Sequence, residues 1–252
     1  MFWQSVRRSD APSIFDFPII NSVCVGAPER QFLMGGCGLG AGIWALEQVS
    51  ELPILWASVQ FVGAPLLGSQ CTIETEILHN GRRSVHGRAS IIQDGKPLHI
   101  ISGSHAKLDK PDSATYLSMP DVPPPEDCES LGDKLYVEVE NLQQRIDIRW
   151  AGNDPDTGRG YLWFRSVDGL PMTASWLSII ADYMPAPHPA TNRCTSLDNV
   201  IRIHQLAESE WVLGECLVSE YRNGHFHGAI NLFSRDGVLL ATGNQTGLQG
   251  GT

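Results

Sequence analysis

One part of this sequence repeats another about 141 residues further on. Ser84-Val85-His86-Gly87 matches His225-Phe226-His227-Gly228, and the turn QDGKPL from Gln93 matches RDGVLL from Arg235. His86 and His227 are 141 residues apart and Asp94 and Asp236 are 142, so the register holds within one residue. A repeat of this length predicts a duplicated domain. Each copy reads as strands, one buried helix and a meander of four strands, which is an α+β layer arrangement. With 42% hydrophobic residues, the 252-residue chain can fill a core in both copies.

The first copy begins with SIFDFPIINSVCV, which can supply a strand, followed by a helix rich in small residues from about Leu39 to Val49. Strands are expected at Leu55 to Phe61, Cys71 to His79, Ser84 to Gln93 and Leu98 to His105, with hairpin signals at Asn80-Gly81 and Asp94-Gly95. Between Lys110 and Asp133, five prolines and five acidic residues mark a linker. Strands resume at Leu135 to Glu140, Arg145 to Trp150 and Tyr161 to Arg165, with a loop from Gly152 to Gly160. Four more follow at Leu197 to His204, Trp211 to Tyr221, His225 to Ser234 and Val238 to Thr246. This divides the chain into an N-terminal half (1–110), a Pro-rich linker (111–133) and a C-terminal half (134–252).

The helix of the second half is read from PMTASWLSIIADYMP, Pro171 to Pro185. Pro171 suits a first helical position, Thr173 or Ser175 can cap it, and Pro185 stops it. Trp176, Ile179, Ile180 and Tyr183 form one apolar face; Leu177, Ala181 and Met184 form another, so the helix should be enclosed. Asp182 stands alone inside that enclosure. A buried carboxylate must find partners or change its pKa, and one in a last helical turn has the wrong sign for the helix dipole. The plain alternative is that Asp182 faces solvent or closes the helix end.

Charge and cysteines narrow the function. A net charge of −10 and a pI near 5.2 argue against nucleic acid as a partner. No apolar run is long enough to span a membrane, and MFWQSVRRSDAP lacks the apolar segment of a secretory signal. Six cysteines without CxxC spacing read as reduced, mostly buried thiols of a cytoplasmic protein.

Several stretches resemble one family. MGGCGLGAGIWAL resembles a glycine-pair entry to a first helix, WASVQFVGAP the strand after it, GRASIIQDGKPLHIISGS and SLDNVIRIHQLAESEWVLGE later strands of the two halves, and GVLLATGNQTG a closing strand. The chain resembles the double hot-dog acyl-CoA thioesterases of the acyl-CoA thioesterase II type, over nearly its whole length after about residue 30. The resemblance implies a tandem hot-dog, two antiparallel sheets each wrapped around one long helix, and hydrolysis of acyl-CoA thioesters. It carries the family's Asp onto Asp182, its hydroxyl onto Ser196 (usually Thr in the family, with Thr195 the alternative) and its Gln onto Gln245. Coenzyme A is then part of the substrate, and no separate cofactor or metal is expected.

The residues agree with that chemistry. A water must be held against the thioester carbon while a base takes its proton. Asp182 can be that base, its basicity raised by burial, and Ser196 and Gln245 can each donate and accept to orient the water. Taken singly, Ser196 reads as a strand hydroxyl and Gln245 as a strand-end amide. Gly35 and Gly36 are candidates for backbone donors to the oxyanion. In the first copy, Ala45, Leu46 and Glu47 fall near the Asp182 register and Glu47 reads as a surface residue, so one working site per chain is expected. Exposed sheet edges suggest a homodimer.

Other signals weigh less. GGCGLGAG lacks the third glycine and the βαβ context of a dinucleotide loop. His225 and His227 share a strand face without a third metal ligand; His86 and His204 read as strand-face residues, and Asp198 as structural. GxSxG is absent. Two rival readings remain. An enoyl-CoA hydratase or dehydratase on the same fold would want an Asp–His pair, for which only His188 is near in sequence. The other is an acyl-CoA-binding protein without catalysis.

Overall fold

The computed structural model describes residues 6–110, 112–132 and 140–250. The strand expected at Leu135 to Glu140 lies almost wholly outside the described residues. In chain order the elements are β1 (Arg7–Arg8), β2 (Ile14–Pro18), β3 (Cys24–Ala27), β4 (Arg30–Leu33), α1 (Gly35–Ser50), β5 (Ile54–Phe61), β6 (Gln70–Asn80), β7 (Ser84–Gln93) and β8 (Lys96–Ala106). The second half adds β9 (Glu129–Ser130), β10 (Ile146–Asp154), β11 (Arg159–Ser166), α2 (Ala174–Ala181), β12 (Cys194–Ile203), β13 (Val212–Arg222), β14 (His225–Ser234) and β15 (Leu239–Gln249).

The repeat appears as two matching meanders, β5 to β8 and β12 to β15. The QDGKPL turn closes β7 onto β8, with Asp94 and Gly95 both at positive φ, the backbone a tight hairpin needs. The expected pair of separate sheets is corrected. Strands β5 and β12 hydrogen-bond to each other, antiparallel, from Asp198↔Gln60 to Arg202↔Trp56, and fuse the halves into one sheet of 13 strands among the described residues. Unpaired edge strands present open N–H and C=O groups, and here each half supplies the other's missing neighbour. Among the described residues the sheet ends in the two-residue strands β1 and β9.

The second helix also differs from expectation: it is short. Thr173 caps it, its side chain accepting from Trp176 N–H, so Pro171 lies outside. The helix ends at Ala181, and turns carry the chain past Pro185. All eight of its residues are buried. Helix α1 contains five glycines in sixteen residues, each costing about 1 kcal/mol of helix propensity. Packing explains their presence. A Cβ on Gly36 would lie 2.8 Å from Ser178 O and 2.9 Å from Ile179 Cα, so α1 and α2 meet backbone to backbone. Ser175 Oγ donates to Gly40 O at 2.8 Å and Ser178 Oγ to Gly36 O at 3.2 Å, pinning the two helices together.

The Pro-rich segment is not a free tether. Trp163 Nε1 donates to Pro123 O at 2.9 Å, and Met119, Val122 and Cys128 pack on a cluster around Trp163, Trp211 and Phe233. β9 then pairs with β10. All six cysteines are free, four of them buried. Among the described residues no helix is long and apolar enough to cross a membrane.

Candidate active site

Asp182 follows the last residue of α2 and so stands at that helix's C-terminal end, the unfavourable pole for an anion. The packing described above delivers it to the favourable pole of the other helix. Its Oδ2 accepts the N–H of Gly36, in the first turn of α1, at 2.7 Å. Its Oδ1 accepts from Gln245 Nε2 at 3.0 Å and from Asn199 Nδ2 at 3.3 Å. Asp182 keeps some accessible surface, but the protein packed round its carboxylate strips most of its hydration. That burial pushes the carboxyl above the usual carboxylate range, while the bonds from Gly36, Asn199 and Gln245 pull the other way.

The two partners arrive on neighbouring strands. Asn199 on β12 and Gln245 on β15 face each other in the ladder. Both are buried, at 1% and 2% exposed. Gln245 Nε2 also donates to Ser196 Oγ, so one amide joins the carboxylate to the hydroxyl. The amide oxygen, Oε1, is buried and has no hydrogen-bond partner among the described residues. Thr195 is exposed on the opposite phase of β12, and Ser196 is the hydroxyl that the Gln245 amide meets. Asp198 sits at a bulge in β12 and accepts Thr246 N–H at 2.7 Å, fastening β12 to β15 beside Gln245.

The structure thus brings Asp182, Ser196 and Gln245 together. Gly35 and Gly36 also lie against Asp182: a Cβ on Gly35 would be 3.0 Å from Oδ2 and 2.7 Å from Phe61 Cζ. The Gly36 N–H is already committed to Asp182, which corrects its reading as a free oxyanion donor. Asn199 was not anticipated. Its signal was the strand phase it shares with buried Ile201, between outward Asp198, Val200 and Arg202.

No histidine hydrogen-bonds Asp182 among the described residues, and His188 instead accepts from Ala190 N–H at 3.2 Å. The rings of His225 and His227 lie 5.4 Å apart, and His227 bonds Thr246 Oγ1 at 3.1 Å. Among the described residues no three His, Cys, Asp or Glu are grouped to hold a metal. Glu47 is half-buried rather than a surface residue, accepting Ile54 N–H at 3.1 Å where β5 begins. The helices start 139 residues apart, at Gly35 and Ala174, and on that offset Ile43 occupies the place of Asp182.

Residues 28–106 match the family model of the acyl-CoA thioesterase N-terminal domain and residues 122–249 that of the C-terminal domain. No curated protein matches the chain in sequence. Among solved structures, a protein from Novosphingobium aromaticivorans assigned as a thioesterase is 27% identical, with TM-score 0.91, covering 98% of this chain and 99% of its own. An acyl-CoA thioesterase II from Mycobacterium marinum is 16% identical, with TM-score 0.80 over 100% of this chain and 99% of that one. A hot-dog protein of unknown function from Alicyclobacillus acidocaldarius is 18% identical, with TM-score 0.81 over 100% and 98%. The fold is therefore hot-dog, its two units fused edge to edge, and with both domain models matched in order the chain belongs to the acyl-CoA thioesterase family.

Proposed function

We propose that this chain hydrolyses acyl-CoA thioesters to the free acid and coenzyme A, using one site per chain built on Asp182, Ser196 and Gln245. The observation that carries the reading is the convergence of a buried carboxylate, an amide bonded to it, and a hydroxyl bonded to that amide, at the N-terminus of a buried helix.

The chemistry follows from the donors and acceptors. Gln245 spends both amide protons on Asp182 and Ser196, which leaves its buried Oε1 as an acceptor for one proton of an attacking water. Asp182 accepts the other. As the water oxygen bonds to the thioester carbon, that proton passes to the carboxylate, and the carbonyl electrons move onto oxygen. Collapse of the intermediate breaks the carbon–sulfur bond, and the proton on Asp182 goes to the departing thiolate, restoring the carboxylate. The first-turn backbone of α1 at Gly35 faces the same place and carries the partial positive charge that favours a developing oxyanion. Coenzyme A enters and leaves as part of the substrate.

Thiol release measured over a panel of acyl-CoA esters tests the reading. The wild type should release thiol, and Asp182→Asn should be slower by about 10²–10⁴-fold, the range for loss of a general base. Undiminished release in Asp182→Asn overturns the assignment. Hydration of an enoyl-CoA without thiol release indicates the hydratase chemistry instead, and binding without turnover an inert module.

A further inference from the structure

We propose that Asn199 is a positioning residue for the thioesterase reaction: its amide fixes the Asp182 carboxylate in the orientation from which it takes a proton from water. This rests on the reading of Asp182 as the base.

The duplicated frame supplies the argument. Asn199 pairs with Gln245 on β15 as Ala57 pairs with Gly103 on β8, and Gly103 and Gln245 are 142 residues apart, as are Asp94 and Asp236 of the matching turns, so Ala57 holds the place of Asn199 in the first half. Both stand on the two strands of the β5–β12 seam. Ala57 is 0% exposed and Asn199 1%. The frame therefore accepts a purely apolar side chain at this position in the first half, where Ile43 stands in place of the carboxylate. The amide occurs in the half that has Asp182, and its Nδ2 points to Oδ1 of that residue at 3.3 Å. A buried amide carries a desolvation cost that alanine does not, and that cost is offset here by a bond to a charged group. With Gly36 holding Oδ2 and Gln245 sharing Oδ1, Asn199 supplies the third donor, and the carboxylate plane is fixed from both helices and both strands around it.

The pH profile separates this role from simple packing. An N–H bond to a carboxylate favours its charged form, so removing Asn199 should make Asp182 protonate at higher pH. Other titratable groups around Asp182 are Cys37 on α1, Cys194 on β12 and Tyr183 beside it, each held neutral by burial, which pushes their values up. Cys24, next to Cys37, is likewise pushed up, to about 12. His99, packed over Gly38 of α1, is pushed down to about 4 by burial and is common to all variants.

The experiment is a pH profile of kcat/KM for thiol release in the wild type, Asn199→Leu, Asn199→Ser and Asn199→Gln. Leucine keeps the bulk without a donor, and serine is too short to reach. Both should lower kcat about tenfold with little change in KM, and both should move the acid limb to higher pH. Asn199→Gln, which retains an amide, should move the limb back toward that of the wild type. If the leucine variant does not fold, the serine variant gives the same readout. An acid limb that stays in place in the folded leucine or serine variant overturns the proposal, whether or not kcat falls. It does so without touching the hydrolase reading, which fails only if Asp182→Asn stays active.

Discussion

Gly36 N–H donates to Asp182 Oδ2 at 2.7 Å, across 146 residues of sequence and from one half of the duplication to the other. The proposed base is thus held by the helix of the copy that has no carboxylate at the corresponding position. The first half has a part in the site although Ile43 replaces the acid there.

Substituting Gly36 tests how tightly that contact is built. An alanine Cβ at this position would lie 2.8 Å from Asp182 Cβ and from Ser178 O, and 2.9 Å from Ile179 Cα. Two of these neighbours are backbone atoms, which cannot rotate aside. Gly36→Ala should force α1 and α2 apart, with a stability loss of about 1–3 kcal/mol in chemical denaturation and at least about a tenfold fall in thiol release. Wild-type values for both would mean that the helices have slack the close contacts do not show.

The elevated pKa of Asp182 has a signed consequence for stability. Its folded-state value lies above the ordinary carboxylate value, so the folded protein binds this proton more tightly than the unfolded chain does. The contribution is fully present below the unfolded value and is lost as pH rises through the folded value. Asp182→Asn removes that dependence. The melting temperature of the wild type relative to Asp182→Asn should therefore fall as pH is raised from about 4 to 8. A difference that is flat or rises with pH would show that the three hydrogen bonds outweigh burial. Activity runs opposite: kcat/KM should fall on acidification, at a pH above that of an exposed carboxylate.

Ser196 touches Gln245 rather than Asp182, so its loss should act through the amide. Ser196→Ala leaves a buried N–H of Gln245 without an acceptor, a cost of about 1–3 kcal/mol. The amide should reorient, and kcat should fall about ten- to a hundredfold. Ser196→Thr keeps the oxygen and suits a strand, so it should retain most activity. Full turnover in the alanine variant would reduce Ser196 to a strand hydroxyl.

What could be read from the sequence divides along physical lines. Local signals were legible. Asp94-Gly95 marked the β7–β8 hairpin, Ser84 to Gln93 and His225 to Ser234 coincide with β7 and β14, and burial of the second helix followed from its two apolar faces. Of the caps read for that helix, Thr173 is the one that holds Trp176 N–H, and this leaves Pro171 outside the helix rather than at its first position. Asn199 went unnoticed because an amide between Asp198 and Val200 looks solvated unless the strand's phase is followed to Ile201. The β5–β12 seam and the Gly36–Asp182 bond join residues that are distant in sequence, and neither local propensity nor turn chemistry encodes such a pairing.

His99 gives a last prediction, away from the proposed chemistry but close to the same helix. It is 2% exposed, its ring stands edge-on to Phe61 at 5.0 Å, and a Cβ on Gly38 would overlap its Nδ1. Nδ1 has no hydrogen-bond partner among the described residues. Burial pushes its pKa down to about 4, only partly countered by a bond to the Gly63 backbone. The unfolded chain binds this proton near the ordinary histidine value of 6.5, and the folded protein does not. Stability from this group is therefore fully present above that value and is lost as pH falls toward 4, by on the order of 3 kcal/mol. His99→Gln, which cannot titrate and can still reach the Gly63 carbonyl, should lose less stability than the wild type over that window when urea midpoints are compared. Because Phe61 bridges His99 to Gly35, wild-type thiol release should also be lost at a higher pH than in His99→Gln. Identical acid sensitivity in the two proteins would mean that the ring is already protonated in the native fold or reaches solvent, and that burial of His99 does not limit acid tolerance.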